Sequence, residues 1–386
     1  MNAMLLFCSA AFLAPLLALS FTIRHDLTAF AGVNIDWVYS RTTHEKIYPQ
    51  RTATQRRFAV PLLGYLDRGR LRVVTRNGNT NAYSPFWGKD ALIANSYGDF
   101  LVKTQKQRGP VRIFSYDGQL KWKKDGFGAP RVLAGGRYIA LFDRQNTAFR
   151  IFTDTSKALT GHIRSSAFIT DLDAAVDGSV FVYATIRGQF VIFNQFRTLW
   201  KHTVEPRYRN PVTAAALSRD GRYVAAVTGH PRGSRLAVFD VSSGQRVWRL
   251  PLGRDYIHRT ALAWLPDHTL VFEAADGVHA LTLPRKQYRW HLDRPAETGS
   301  AHVGVSHQQQ NAAVTLSSGG EENSRVYLFR EHTLHAVITL GAPRATSVIR
   351  DQQLFIITPR TVSGLTIRPL ADFQTEPEED LGDEYY

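Results

Sequence analysis

The segment "LAVFDVSSGQRVW", residues 236–248, joins an apolar run, an aspartate, a Ser-Ser-Gly turn and a second run ending in tryptophan. It reads as a β-hairpin, two strands held by turn residues. The same plan returns along the chain. "IFSYDGQLKW" ends at Trp122, "VIFNQFRTLW" at Trp200 and "HALTLPRKQYRW" at Trp290. "FRIFTDTSKALT" places Leu159 near the tryptophan position, and "VYLFREHTLHAV" loses the tryptophan altogether. Near the N-terminus, "IDWVYSRT" carries Trp37 in a similar setting.

A second marker lies between these hairpins: a polar turn leading into an apolar strand. Its third residues are Arg70, Asp99, Arg137, Ser179, Arg222, Thr269, Asn311 and Gln353, at steps of 29, 38, 42, 43, 47, 42 and 42 residues. Intervals this regular mark a repeat of one supersecondary unit. Each unit holds about four strands. From Val212, "VTAAALSRDG", "RYVAAVTGH", "RLAVFDV" and "QRVWRLPL" supply them in turn. Runs such as "VFVYA", "YVAAV" and "LFII" are apolar without alternation, as strands buried on both faces must be. The pattern predicts an all-β chain forming a single β-propeller of four-stranded blades. Eight markers predict eight blades, or seven if the short first unit is not a blade. The last unit, "TSVIRDQQLFIITPRTVSGLTIRPL", has three strands, and the segment around Trp37 is a strand without a unit. An N-terminal strand closing the last blade accounts for both. The propeller is expected over residues 34–370, with Trp37, Trp122, Trp200, Trp248 and Trp290 as structural wedges between blades.

With Phe239, Asp240, Ser243, Gly244 and Trp248 in place, "VFDVSSGQRVW" resembles the pyrroloquinoline-quinone-type propeller repeat. "FSYDGQLKW" fits in part through Gly118 and Trp122, and "RDGRYVAAV" resembles WD-repeat propellers without their Trp-Asp pair. Quinone enzymes of this type imply a cofactor on a tryptophan, adjacent cysteines and a calcium site with a catalytic aspartate. The chain has one cysteine, Cys8, so the adjacent pair is missing. No match to the other parts can be located, and no nucleophile elbow, paired zinc motif or phosphate loop occurs. "GFGAPR", residues 126–131, reads as a turn between blades. His332 and His335 fall in an expected fourth strand, where they point to opposite faces. The remaining histidines are scattered, with no cluster that suggests a metal. The reading is therefore non-enzymatic, with no cofactor, no metal and no catalytic residue. It resembles exported scaffold propellers such as the outer-membrane barrel-assembly lipoproteins. That resemblance implies protein–protein interactions in a cell-envelope assembly. Two alternatives stand beside it: a quinoprotein-like enzyme or ligand-binding propeller with a central-channel site, and a cytosolic-facing WD-repeat-like interaction protein.

Residues 4–21 are uncharged and largely apolar, suited to a signal peptide or membrane anchor over residues 1–21 and to an N-terminal apolar helix. "ALS" at residues 18–20 offers small residues for cleavage after Ser20, whereas Phe7 before Cys8 makes a poor lipoprotein box. Basic residues follow the run and none precedes it, which by the positive-inside rule favours a cytosolic body. Export, with the propeller periplasmic or anchored outside the cytoplasm, is nevertheless the expected setting.

The formal charge is +14, from 47 Lys and Arg against 33 Asp and Glu. A basic patch is expected from Arg41, Lys46, Arg51, Arg56, Arg57, Lys103, Lys106 and Arg108, with an acidic protein partner; Arg207, Arg209, Arg232 and Arg235 add charge in later loops. Membrane contact through an uncleaved N-terminal segment is expected, and nucleic acid is not, because it conflicts with export. Residues 371–386, "ADFQTEPEEDLGDEYY", reverse the sign and read as a disordered acidic tail. If the tail screens the basic face, deleting residues 371–386 strengthens retention on heparin at low salt. Unchanged retention would show that it does not.

Overall fold

The computed structural model describes residues 110–367 with short gaps, and before them the backbone of strands lying between residues 33 and 105. The segments 1–21 and 371–386, and with them the expected apolar helix, lie outside the described residues. Among the described residues the strands form eight antiparallel sheets, six of them four-stranded. In each four-stranded sheet the strands are neighbours in chain order. The hairpin of the opening motif belongs to one of these, built from Val212–Leu217, Tyr223–Thr228, Arg235–Asp240 and Arg246–Pro251. The eight turn markers each lead into the second strand of a sheet. The short first unit forms a three-stranded sheet within residues 61–83. The last sheet draws a strand from the other end of the sequence. Val33–Ser40 lies antiparallel to Thr361–Ile367, with Trp37 opposite Gly364. Lys46–Tyr48 then adds a fifth strand to its outer side.

Burial follows strand position. The second strands are buried along nearly their whole length, as in Phe181–Thr185 and Tyr223–Thr228. The fourth strand Gln287–Asp293 is mostly exposed, and Thr198–Thr203 has no buried residue. A second strand is covered on both faces because its alternate side chains enter two different joints. Val224 and Ala226 pack with Val182, Ala184 and Ile192 of the preceding sheet. Tyr223, Ala225 and Val227 pack with Trp264, Leu270 and Phe272 of the following one. Ala and Val alternate in these joints with large rings on the same inner strands, such as Phe181, Phe272 and Trp264.

First strands meet first strands from sheet to sheet, as Ile169–Ala174 does with Val212–Leu217. The first strand of a sheet has an open backbone edge, and its amide groups need partners. In the sheet of residues 169–203, aspartates provide them. Asp171 accepts from the Ala215 amide at 2.8 Å, and Asp173 from the Leu217 amide at 2.8 Å. Thr170 Oγ1 donates to the Val212 carbonyl at 2.5 Å. From the other side, Arg131 donates to Asp171 at 3.1 Å and to the Thr170 carbonyl at 3.0 Å. Three consecutive sheets are thereby joined through polar groups of their first strands. Arg131, expected in a turn, lies instead in the first strand Pro130–Leu133 and makes one of these joints.

Desolvation pushes the Asp173 carboxyl up to about 7, against the hydrogen bonds from the Leu217 and Ala174 amides, and the Asp171 charge pushes in the same direction as burial. In the unfolded chain an aspartate titrates near about 3.9. The folded state therefore binds the extra proton, so the contribution to stability is full below about pH 4 and is lost as pH rises through about 7. Asp173→Asn is expected to flatten the pH dependence of the thermal midpoint over that window and to raise the midpoint on its alkaline side. Thermal unfolding followed by circular dichroism across this pH range reads both effects.

Candidate functional site: a cationic cleft between two sheets

The repeat tryptophans with described side chains each reach from a fourth strand to the next sheet. Trp200 Nε1 donates to the Val241 carbonyl at 2.7 Å, and its ring lies beside Phe239 at 6.1 Å. It also covers Gly244, which takes a φ of 68°, a left-handed conformation that suits glycine. The Asp240 carboxylate holds that turn by accepting from Ser242 Oγ at 2.6 Å and from the Ser243 amide at 3.0 Å. Trp290 stacks on Phe329 at 3.8 Å, Trp122 lies 5.9 Å from Phe152, and Trp248 meets Phe272 edge-on at 5.9 Å. Of Trp37 only the backbone is described. At the same register in the sheet of residues 298–340 stands Ala336, opposite Leu328. Leu159, expected near the tryptophan position, lies outside the fourth strand of its sheet; Ile163–Arg164 fills that place.

The fourth strand of the opening motif sorts its residues by a β-bulge. Phe239 stands opposite Arg246 and Val238 opposite Trp248, so one extra residue, Val247, is accommodated between them. The bulge turns Trp248 towards the following sheet and leaves Arg246 and Arg249 on the face of Ala237 and Phe239. That face meets the sheet of residues 169–203 across a cleft of about 80 Å³ lined by Phe190, His202, Phe239, Arg235, Arg246 and Arg249 among others. None of the described lining residues is acidic. His202 lies between the aromatic rings, 5.3 Å from Phe190 and 4.8 Å from Phe239. Burial, and then the charge of Arg246, hold its imidazole below the ordinary histidine range. It is therefore neutral at pH 7, while the guanidinium groups stay charged. Such a site suits a carboxylate-bearing ligand: guanidinium groups for the charge and an aromatic floor for the carbon chain.

Of the basic patch expected from the sequence, Lys46 and Lys103 lie in strands described by their backbone alone. Arg41, Arg51, Arg56, Arg57, Lys106 and Arg108 lie outside the described residues, as do Arg207, Arg209 and Arg232. The cleft instead joins Arg235, singled out for its charge, to Arg246 and Arg249, which flank the repeat tryptophan. Their sequence signal was the pair of arginines in "RVWR", and the bulge that turns them to one side was not legible there.

Two expectations about histidines need correction. His332 lies in the turn before the fourth strand Thr333–Leu340, with a φ of 72°, and only His335 is within the strand. His332 Nε2 pairs with the Asp267 carboxylate of the preceding sheet at 2.7 Å, so it belongs to a joint between sheets. The histidines are also less scattered than their spacing suggests. His279 and His291 are direct cross-strand partners, with Asp276 beside them.

No family model matches this chain, and no curated protein sequence does. Solved structures do. The β-propeller domain of Cps50 (Swd1) from Myceliophteria thermophila is similar with a TM-score of 0.51 at 15% identity, over 73% of this chain and 97% of that one. A chain of the mitotic checkpoint complex gives 0.52 at 12%, over 70% and 88%. BamB from Moraxella catarrhalis gives 0.52 at 11%, over 82% and 99%. The chain is a β-propeller. At these identities the likeness is one of fold, and it does not single out the quinone-type repeat family.

Within this propeller the Trp290–Phe329 stack buries a large aromatic contact between two sheets. Trp290→Ala is expected to lower the unfolding free energy by about 3 kcal/mol. Tyr288→Ala, at a side chain 52% exposed on the same strand, should change it by less than about 0.5 kcal/mol. Denaturant titration of the two variants side by side tests the contrast.

Proposed function

We propose that this chain is a non-enzymatic interaction scaffold, an eight-bladed ring closed by the N-terminal strand, which binds an acidic segment of a partner protein. The observation that carries the reading is the cleft itself, where Arg235, Arg246 and Arg249 line one groove over the floor made by Phe190 and Phe239. An apolar pair at the same end of the sheet that lines the cleft favours a protein ligand over a small anion. Phe168 and Ile186, 46% and 50% exposed, are joined by a hydrogen bond from the Ile186 amide to the Phe168 carbonyl at 3.0 Å. They stand at the end of the sheet where His202 lies, because Val204 donates to the Gly188 carbonyl there. The fold likeness to a chain of the mitotic checkpoint complex, a protein assembly by name, is in keeping with a scaffold role. The apolar run of residues 4–21 and the motif resemblance to exported scaffold propellers support a membrane-anchored or periplasmic setting.

A fluorescently labelled glutamate-rich peptide is the probe. Fluorescence polarisation at low salt should show binding that weakens with added salt. The double variant Arg246→Glu, Arg249→Glu should lose about tenfold or more in affinity. Binding that this variant leaves unchanged would remove the cleft as the site. Occupancy by a carboxylate should also raise the His202 pKa, which nuclear magnetic resonance of the imidazole protons reads directly.

A further inference from the structure

The outer hairpin of the sheet of residues 262–293 brings together two imidazoles and a carboxylate. We propose that His279, His291 and Asp276 form a site for a divalent transition-metal ion of the zinc class. The third strand Gly277–Thr282 and the fourth strand Gln287–Asp293 set the pair. A bulge between Ala280 and Leu281 places Trp290 opposite Ala280 and His291 opposite His279. Without the extra residue Trp290 would face His279 and the two imidazoles would fall on different faces.

The rings lie 4.2 Å apart, close to parallel at 11°. Asp276, in the turn before the third strand, has one carboxylate oxygen 2.9 Å from His279 Nε2 and the other 3.9 Å from His291 Nε2. The three ligand atoms all lie within 4.8 Å of one another. Tetrahedral zinc with bonds of about 2.0–2.1 Å needs donors about 3.3 Å apart, so the spacing is close to that of a site, and the two stacked rings must tilt out of parallel to turn both nitrogens onto one ion. The exposed Asp293 carboxylate stands 3.6 Å from His291 Nδ1 and adds negative charge on the other side of that ring.

The surroundings keep the donors together. His279 stacks on buried Phe272 at 5.2 Å and 11°, so its imidazole is held between Phe272 and His291. Gly277 leaves room for the arrangement, because a β-carbon there would stand 2.8 Å from His291 Nε2 and collide with the Leu292 carbonyl oxygen. Asp276 and His291 are exposed, which gives an ion a path in and leaves a coordination position for water. Two imidazole nitrogens and one carboxylate oxygen favour zinc, nickel or copper over calcium or magnesium. The site lies on the face that packs against the preceding sheet, where Phe272 meets Trp248, so a bound ion would tie the outer hairpin at that joint.

The test uses the full chain, freed of metal with a chelator and titrated with zinc chloride by calorimetry, with cobalt chloride as a spectroscopic probe. One equivalent should bind, raise the thermal midpoint and give cobalt absorption bands of a low-coordinate nitrogen–oxygen site. His291→Gln, at an exposed position, and His279→Ala should each weaken zinc binding about tenfold or more. His162→Ala, at an exposed histidine elsewhere, should leave it unchanged. Zinc that fails to bind, or binding that His291→Gln and His279→Ala both leave unchanged, overturns the proposal. In the second case the ion is adventitious only.

Discussion

Face-to-face packing of neighbouring sheets along their second strands is the contact on which the rest of this protein depends. Tyr223–Thr228 has no solvent face, because its alternate residues enter the joints on both sides. A single sheet of this kind could not stay folded in water: both of its faces are apolar, and only two neighbours can cover them. The regular spacing of the markers follows from this. Each unit must present the same two faces at the same height, which leaves little freedom in length within the strands and more in the loops.

Polar chemistry enters where apolar packing cannot reach. At the first strands, backbone amides face one another across a joint, and Asp171, Asp173 and Thr170 supply partners that hydrocarbon side chains could not. An ionised carboxylate there is stabilised by the amides and penalised by burial, and at Asp173 the penalty prevails. On the fourth strands, tryptophans from one sheet rest on aromatic side chains of the next. The four described examples use different contacts. Trp200 makes a hydrogen bond to Val241, and Trp290 stacks flat on Phe329 with its Nε1 unpaired among the described residues. The repeat therefore specifies a place for the ring more strictly than it specifies the partner.

The same outer space carries the chemistry that distinguishes one joint from another. Arg249 and His291 occupy equivalent places, each one residue past the fourth-strand tryptophan and each turned to the preceding sheet by a bulge. In one joint the result is a cationic cleft; in the next it is a pair of imidazoles beside a carboxylate. Variation at one repeat position thus generates different sites on an unchanged frame.

The sequence by itself determined the all-β architecture, the second strands and the extra N-terminal strand, since each is written in local patterns of apolar runs, turn residues and period. It also marked Trp122, Trp200, Trp248 and Trp290 as members of one set. It did not reveal the partners of Asp171 and Asp173, which lie more than forty residues away on another sheet. Nor did it show that His332 reaches Asp267, or that His279 and His291 share a face. Those placements depend on one-residue bulges and on the stacking of whole sheets. A bulge leaves almost no trace in composition, yet it decides which side of a strand every later residue occupies, so only the tertiary structure could assign them.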